Sequence, residues 1–303
     1  MPEVDLEADV IAVLPVFRRA LRRAAPELAR DLPWIGLDDP WAIFVSEVML
    51  QQTSTSRVIA PWRRFLEAFP TAPSCARAPL GEVLRLWSGL GYPRRARNLH
   101  AAAREMVERF DSAVPSSASE LLSLPGVGPY TANAVASFAF DEPVAVLDTN
   151  VGRVLSRALA LRSLQAREAQ ALATRLLPRS GVAGFNQTML DLGAQYCGRV
   201  PKCAACPVRS ACRFWREGGE DPAPGSAGVS RPQARFAGSD RQVRGRVLRA
   251  LHDGPLDRGA LLARLADIDE ARLGALLETL VGEGLVGRRR QSYVLGGQSG
   301  DSR

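Results

Sequence analysis

Lysine is nearly missing from this chain: Lys202 is the only one in 303 residues, so 38 of the 39 basic residues are arginines. Chemistry that needs a lysine amine, such as Schiff-base attack on a sugar, is confined to that one position between Pro201 and Cys203. No stretch approaches the roughly 20 apolar residues of a membrane helix, and no early segment joins a basic start to a long apolar run. No membrane partner is expected, and a cytoplasmic protein is. Strand-like alternation is scarce before residue 240, which makes the first two thirds mostly α-helical.

What is present is the apolar share of a folded protein, 46%, in a length that suits two or three domains of about 100 to 150 residues. The net charge of +7 favours a polyanionic partner. Arginine makes planar, forked contacts with phosphate and stays charged when buried, although genome composition produces the same bias.

Val10 to Leu21 has one apolar face and predicts a helix; Asp39 and Pro40 then form a cap and first turn for a helix carrying "WAIFVSEVMLQQT", Trp41 to Thr53. Another helix starts near Thr55, and Leu80 to Phe110 predicts two helices broken at Gly89, Gly91 and Pro93. "LPGVGPYTA" predicts a helix over 117–124, a turn over 125–128 and a second helix from Pro129 to about Phe140. Gly126 and Gly128 permit positive φ and close approach of another chain, and amides opening the second helix suit a phosphate oxygen. A bare Gly-x-Gly is equally an ordinary helical hairpin.

Cys197, Cys203, Cys206 and Cys212 stand in "CGRVPKCAACPVRSAC", a C-x5-C-x2-C-x5-C spacing that suits a metal better than disulfides. A zinc ribbon normally brings two C-x-x-C pairs, whereas one central pair with two flanking cysteines can wrap a [4Fe-4S] cubane. Zinc and plain structural thiols stay open as alternatives. Cys75 stands alone and reads as a small buried residue.

Together, "LPW", "SEVMLQQT", "GLGY", "RARNLH", "LPGVGPYTA", "FNQTMLDLGA" and the four cysteines, in this order from about Leu32 to Cys212, resemble the MutY adenine DNA glycosylases. These are helix-hairpin-helix enzymes of the endonuclease III superfamily. The resemblance implies a mainly α, two-lobed glycosylase: a six-helix domain with the hairpin over residues 30–140, and an iron-sulfur domain from 1–29 and 141–216. A linker over 217–239 and a winged-helix-like module of three helices and a basic hairpin over 240–297 follow. The module departs from the family, many of whose members carry a larger C-terminal domain related to nucleotide hydrolases. Its arginines could bind DNA, or it could dock a protein. Further departures are Ile35 after "LPW", the missing glycine in "LDTN", and a first cysteine gap of five residues where six is usual.

The implied reaction is hydrolysis of the adenine–deoxyribose bond in double-stranded DNA where adenine faces 8-oxoguanine or guanine. The base must be rotated out of the stack to be reached. Matched to the family, Glu47 protonates adenine N7 and Asp148 stabilises the oxocarbenium-like sugar, a division of labour that two carboxylates in different environments allow. Their plain readings are an acid on an exposed helix edge and a loop-cap Asp. Tyr130 stands where strand-cutting relatives have lysine, so base removal without a lyase step is expected. Tyr130 and Asn150 position the sugar or the attacking water. Gln52 and Tyr92 resemble side chains that insert beside the oxidised guanine, and Arg94, Arg95 and Arg97 follow as candidate phosphate contacts or as a basic face.

The resemblance also implies a monomer with a [4Fe-4S] cluster on the four cysteines. Two rivals remain: a thymine or uracil mismatch glycosylase, which also tolerates tyrosine after the hairpin, and a cluster-bearing DNA-binding redox regulator with no need of Glu47 or Asp148.

Overall fold

The computed structural model describes residues 7–226 and 235–296. Residues 227–234 of the expected linker and residue 297 of the expected module lie outside that range, as do the first residues of the chain. In chain order the helices are α1 (Ala8–Leu28), α2 (Pro40–Leu50), α3 (Thr55–Ala68), α4 (Ala72–Arg77), α5 (Leu80–Leu86), α6 (Arg94–Arg109), α7 (Ala118–Leu121) and α8 (Pro129–Phe140). They continue as α9 (Thr149–Leu155), α10 (Ala166–Leu176), α11 (Val182–Gln195), α12 (Arg213–Glu217), α13 (Asp240–Ala250), α14 (Arg258–Arg264) and α15 (Glu270–Gly282). Three short strands, β1 (Leu256–Asp257), β2 (Val286–Arg289) and β3 (Ser292–Leu295), complete the described residues.

The chain divides into two compact units, one from Met1–Pro40, Ser116–Leu122 and Val127–Pro232, the other from Trp41–Pro115, Ser123–Gly126 and Gln233–Arg303. In the first, Val10, Leu14, Phe17, Leu21 and Leu28 recur every three to seven residues along α1, so one face of that helix is buried. That face shares a core with Val151, Leu155, Leu172 and Met189 from α9, α10 and α11. Helix α9 runs on into a π-helical turn over Ser156–Ala160, which ends at Leu161 in the left-handed region. Residues 221–226 are fastened to this unit: Asp221 pairs with Arg157 at 2.6 Å, and the Ser226 hydroxyl accepts from the Leu164 amide at 3.1 Å.

In the second unit every residue of α2 from Trp41 to Met49 is buried, the signature of a helix packed on all sides. Two tryptophans fasten its start: Trp62 Nε1 donates to the Ala42 carbonyl, and Trp41 Nε1 to that of Phe69, both at 2.9 Å. The expected break in 80–110 is present, with Gly89 and Gly91 at φ of 90° and 73° between α5 and α6.

The last 60 described residues also belong to this unit. Ser239, Asp257 and Asp269 cap α13, α14 and α15 with their side chains, and Val247, Leu261, Leu273 and Leu280 are fully buried beneath them. The antiparallel sheet runs β1-β3-β2. Arg289 pairs with Ser292 across the β2–β3 turn, where Arg290 takes a positive φ of 54°. Strand β1, at two residues, carries no alternation that a sequence pattern could reveal. Arg94 pairs with Glu283 at 2.5 Å, Arg97 donates to the Glu283 carbonyl at 2.5 Å, and Arg85 Nε donates to that of His252 at 2.9 Å. These bonds fasten α15 and the end of α13 to α5 and α6.

Candidate active site

Glu47 is 4% exposed, so its plain reading as an acid on an exposed helix edge does not hold. The helix that carries it is apolar on both sides of it in sequence, which keeps solvent from the carboxyl.

Downstream of Glu47, Gln52 has a φ of 57°, and across the glycine loop Tyr92 has a φ of 48°. Left-handed backbone is uncommon for any residue with a Cβ and more so for a bulky one, so both turns are held against local preference. The holder is Arg95. Its guanidinium donates to the carbonyls of Val48 (3.0 Å), Met49 (2.7 Å), Leu90 and Gly91 (both 3.2 Å), and to the Thr53 hydroxyl at 2.9 Å. It also sits 5.3 Å from the Trp87 ring centroid and 5.6 Å from that of Tyr92. Burial brings its pKa down to about 10. Arg95 is therefore a brace between the two turns and, at 8% exposure, not the phosphate contact considered from sequence. Arg94 and Arg97 are turned to Glu283 instead.

Of the two hairpin glycines, Gly126 has the positive φ, 77°, and a Cβ there would come within 2.6 Å of Asn98. Gly128 is extended at φ −96° and is the N-cap of α8, and a Cβ on it would meet nothing within 4 Å. Its lack of a side chain leaves open the ground in front of the helix. Tyr130, in the first turn of α8, is half-buried and packs against the core of the first unit.

Asp148 is the N-cap of α9: Oδ1 accepts from the Val151 amide at 2.8 Å and Oδ2 from Asn150 Nδ2 at 2.6 Å. Burial raises its carboxyl pKa above the usual aspartate value, against the Val151 and Asn150 bonds and the charge of Arg153. The approach to Asp148 is pinned by Asn186, which donates to the Val144 carbonyl at 2.9 Å and accepts from the Val146 amide at 3.3 Å. Asn133 donates to the Ala145 carbonyl at 3.0 Å. Behind Asn150, Gly193 of α11 lets the two helices touch: a Cβ there would lie 2.6 Å from Asn150 Cβ and 2.7 Å from its carbonyl oxygen.

The four loop cysteines are half-buried free thiols, and Cys197, Cys206 and Cys212 pack against the first unit's core. They sit near enough to act on one another. Burial foremost, then mutual repulsion that includes Cys203, raises the thiol pKa values of Cys197 and Cys212, and that of Cys206 to about 11. Among the described residues no group of three or more His, Cys, Asp or Glu side chains is set to hold a single metal ion. Arg157, 2% exposed, threads this loop: it donates to the Gly198 carbonyl at 2.7 Å and to Cys197 Sγ at 3.5 Å, and Asp221 balances its charge. Cys75 is fully buried and its thiol is pushed up to about 12, as its reading as a packing residue requires.

The second unit thus holds Glu47, Gln52, Tyr92 and Gly126. Gly128, Tyr130, Asp148, Asn150 and the cysteines stand in the first. Sequence reasoning missed Arg153 and Arg157. Both lie four residues apart on an otherwise apolar helix, a spacing that places two charges on one buried face.

A model of the HhH-GPD superfamily of base excision DNA repair proteins matches residues 45–179. The chain is 43% identical over 266 residues to the adenine DNA glycosylase of Mycolicibacterium smegmatis, covering 85% of this chain and 88% of that one. It is 42% identical to that of Mycobacterium tuberculosis, covering 86% of each. The human adenine DNA glycosylase is 39% identical over 70% of this chain and 43% of its own length. Among solved structures, a thermostable thymine-DNA glycosylase superposes with a TM-score of 0.64 at 27% identity, over 68% of this chain and 98% of that one. Endonuclease III trapped covalently on DNA gives 0.59 at 25%, over 67% and 97%. Identity to adenine DNA glycosylases along almost the full length of both chains, on a helix-hairpin-helix glycosylase fold, outweighs the thymine-specific neighbour: this chain belongs to the adenine DNA glycosylases, hydrolases of base excision repair.

Proposed function

We propose that this enzyme removes adenine from double-stranded DNA where it faces 8-oxoguanine or guanine, acting as a cytoplasmic monomer without strand cleavage. The observation that carries this reading is Asp148, a half-buried carboxylate held by Asn150 and the α9 amides, in a chain with tyrosine at 130 and lysine only at 202. The bond from adenine N9 to sugar C1′ breaks with its electron pair leaving on the base, and Glu47 gives its proton to N7. Asp148 faces the cationic sugar, and water adds at C1′ and loses a proton. Asn150 fixes the carboxylate, Tyr130 positions the sugar, and no amine is at hand to form a Schiff base. Gln52 and Tyr92 enter the stack beside the opposite base, while Gly126 and Gly128 admit the DNA backbone to the hairpin.

The four cysteines suit a [4Fe-4S] cluster by their donor chemistry: four mutually near thiols, half-buried, with an arginine N–H on one sulfur. A cluster spreads its thiolates over a larger cage than one ion does, which agrees with the lack of a close-set group. Cys197, Cys203, Cys206 and Cys212 would hold it, and its part is to stiffen the loop, since hydrolysis moves no electron. In domain terms we assign the hairpin lobe to 30–140, the cluster lobe to 1–29 and 141–216, the linker to 217–239 and the winged-helix-like module to 240–297.

The test is base release from duplexes holding A opposite 8-oxoguanine, A opposite G, and T opposite G. Adenine release that leaves an unbroken abasic strand before alkali, and that disappears in Asp148→Asn and Glu47→Gln, supports the reading. Thymine release overturns its substrate.

A further inference from the structure

Gln52 and Tyr92 line one cleft of about 940 Å³ in the second unit. Arg57 and Arg94 line it from α3 and α6; Arg241, Arg244, Arg246 and Arg249 line it from α13, and no Asp or Glu is among the described lining residues. A cleft walled by one sign of charge draws an anion. Three of these arginines are occupied, Arg94 and Arg244 with Glu283 and Arg246 with Asp267, and they shape the wall. Arg57 and Arg249 are exposed, Arg57 donating to the Gly89 carbonyl at 2.5 Å.

Two features of α13 point to a ligand outside the fold. Gly245 faces the cleft from the middle of the helix, where glycine costs about 1 kcal/mol relative to alanine. A Cβ there would meet nothing within 4 Å, so the protein's own packing does not require the glycine. Close approach of another backbone does. Arg241 Nη1, meanwhile, donates to the Tyr92 hydroxyl at 3.0 Å with its guanidinium 5.8 Å from that ring's centroid. Tyr92 is therefore flanked by Arg95 and Arg241, with its strained backbone beneath.

We propose that α13 is the second wall of a DNA-strand site. The strand carrying the base opposite adenine lies in this cleft, Arg57 and Arg249 contact its phosphates past Gly245, and Arg241 is the positioning residue that aims Tyr92 at the orphaned base. The proposal rests on the reading of Gln52 and Tyr92 given above, and makes the C-terminal module part of substrate recognition.

The test measures binding of the full-length enzyme to a fluorescent duplex with A opposite 8-oxoguanine, the adenosine bearing a 2′-fluoro group so that it is not released. A salt series compares wild type, Arg241→Ala/Arg249→Ala, and Arg258→Ala, whose arginine pairs with Glu270 away from the cleft. The double variant should bind on the order of tenfold or more weakly, and its plot of log affinity against log salt should be shallower by about 2. Arg258→Ala should match wild type. Arg249→Glu, a surface change that spares folding, should weaken binding further and serves if the double variant is unstable. Affinity and salt slope unchanged in both cleft variants would overturn the proposal and leave the cleft to a protein partner. Wild type that binds with the expected slope yet releases no adenine from the natural duplex would instead overturn the proposed reaction and spare the wall.

Discussion

Arg153 Nε donates to the carbonyl of Cys197 at 2.7 Å, joining α9 to the first cysteine of the loop. Its Nη2 donates to Asn150 Oδ1 at 2.6 Å, and Asn150 in turn holds Asp148. One guanidinium thus fixes the amide that fixes the carboxylate. Supports of this kind typically cost about 10- to 100-fold in activity when removed. Arg153→Gln should lower the single-turnover rate of adenine release by that order and leave duplex affinity nearly unchanged. An unchanged rate would show that Asn150 holds Asp148 unaided.

The raised pKa of Asp148 carries a cost in stability. A carboxyl whose folded pKa exceeds its unfolded one binds more protons when folded, so its ionisation destabilises the fold as pH rises through the folded value. Asp148→Asn retains a capping side chain and removes that charge. The variant should abolish base release yet melt at or above the wild-type temperature at pH 7. Its advantage should shrink as pH falls through the raised pKa. A lower melting temperature at every pH would mean that the cap bonds outweigh burial.

The glycine and cysteine spacings placed the hairpin, the loop and most helices correctly because each depends on local geometry. Ser117 and Leu121, Pro129 and Phe140, and the break at Gly89 to Pro93 all fall where turn chemistry puts them. Burial of Glu47 was legible from its apolar flanks. The role of Arg95 was not: it is indistinguishable in sequence from Arg94 and Arg97, and only the fold sets its guanidinium among five acceptors. Likewise Arg153 acts on Asp148 through Asn150, a relation between side chains that no spacing encodes.

Arg95 has carbonyls, a hydroxyl and two rings around it, and its Nε is buried without a hydrogen-bond partner. Lysine, a point charge on a flexible stem, cannot span those acceptors. Arg95→Lys should destabilise the protein by about 2 to 4 kcal/mol in urea unfolding. It should also release the turns at Gln52 and Tyr92, weakening duplex binding more than it slows chemistry. Wild-type stability in this variant would remove the brace from the account.

Gly193 tests whether contact between α11 and α9 is needed for catalysis. A methyl at that position must displace Asn150, and the near atoms include backbone, which yields less readily than a side-chain tip. Overpacking of this sort costs about 1 to 3 kcal/mol. Gly193→Ala should lower the melting temperature and reduce adenine release more than it reduces binding, because the displaced residue bonds the catalytic carboxylate. Equal losses in both would point to general unfolding.

Glu283 provides the acid-sensitive fastening of the C-terminal residues. Burial alone would raise its carboxyl pKa, but bonds from Arg94 and Arg244 overrule it and bring the value down to about 2 from an ordinary 4.5. A depressed carboxyl binds fewer protons folded than unfolded, so its contribution is present above about pH 4.5 and is lost as pH falls toward 2. The shift sets an upper bound of about 3 kcal/mol, lessened by solvent around the exposed side of Arg94. Glu283→Gln should therefore melt below wild type at pH 7, with a gap that narrows steadily between pH 4.5 and 3. A gap constant across that range would show that the loss comes from packing of the side chain and not from its charge, because only the charge titrates there.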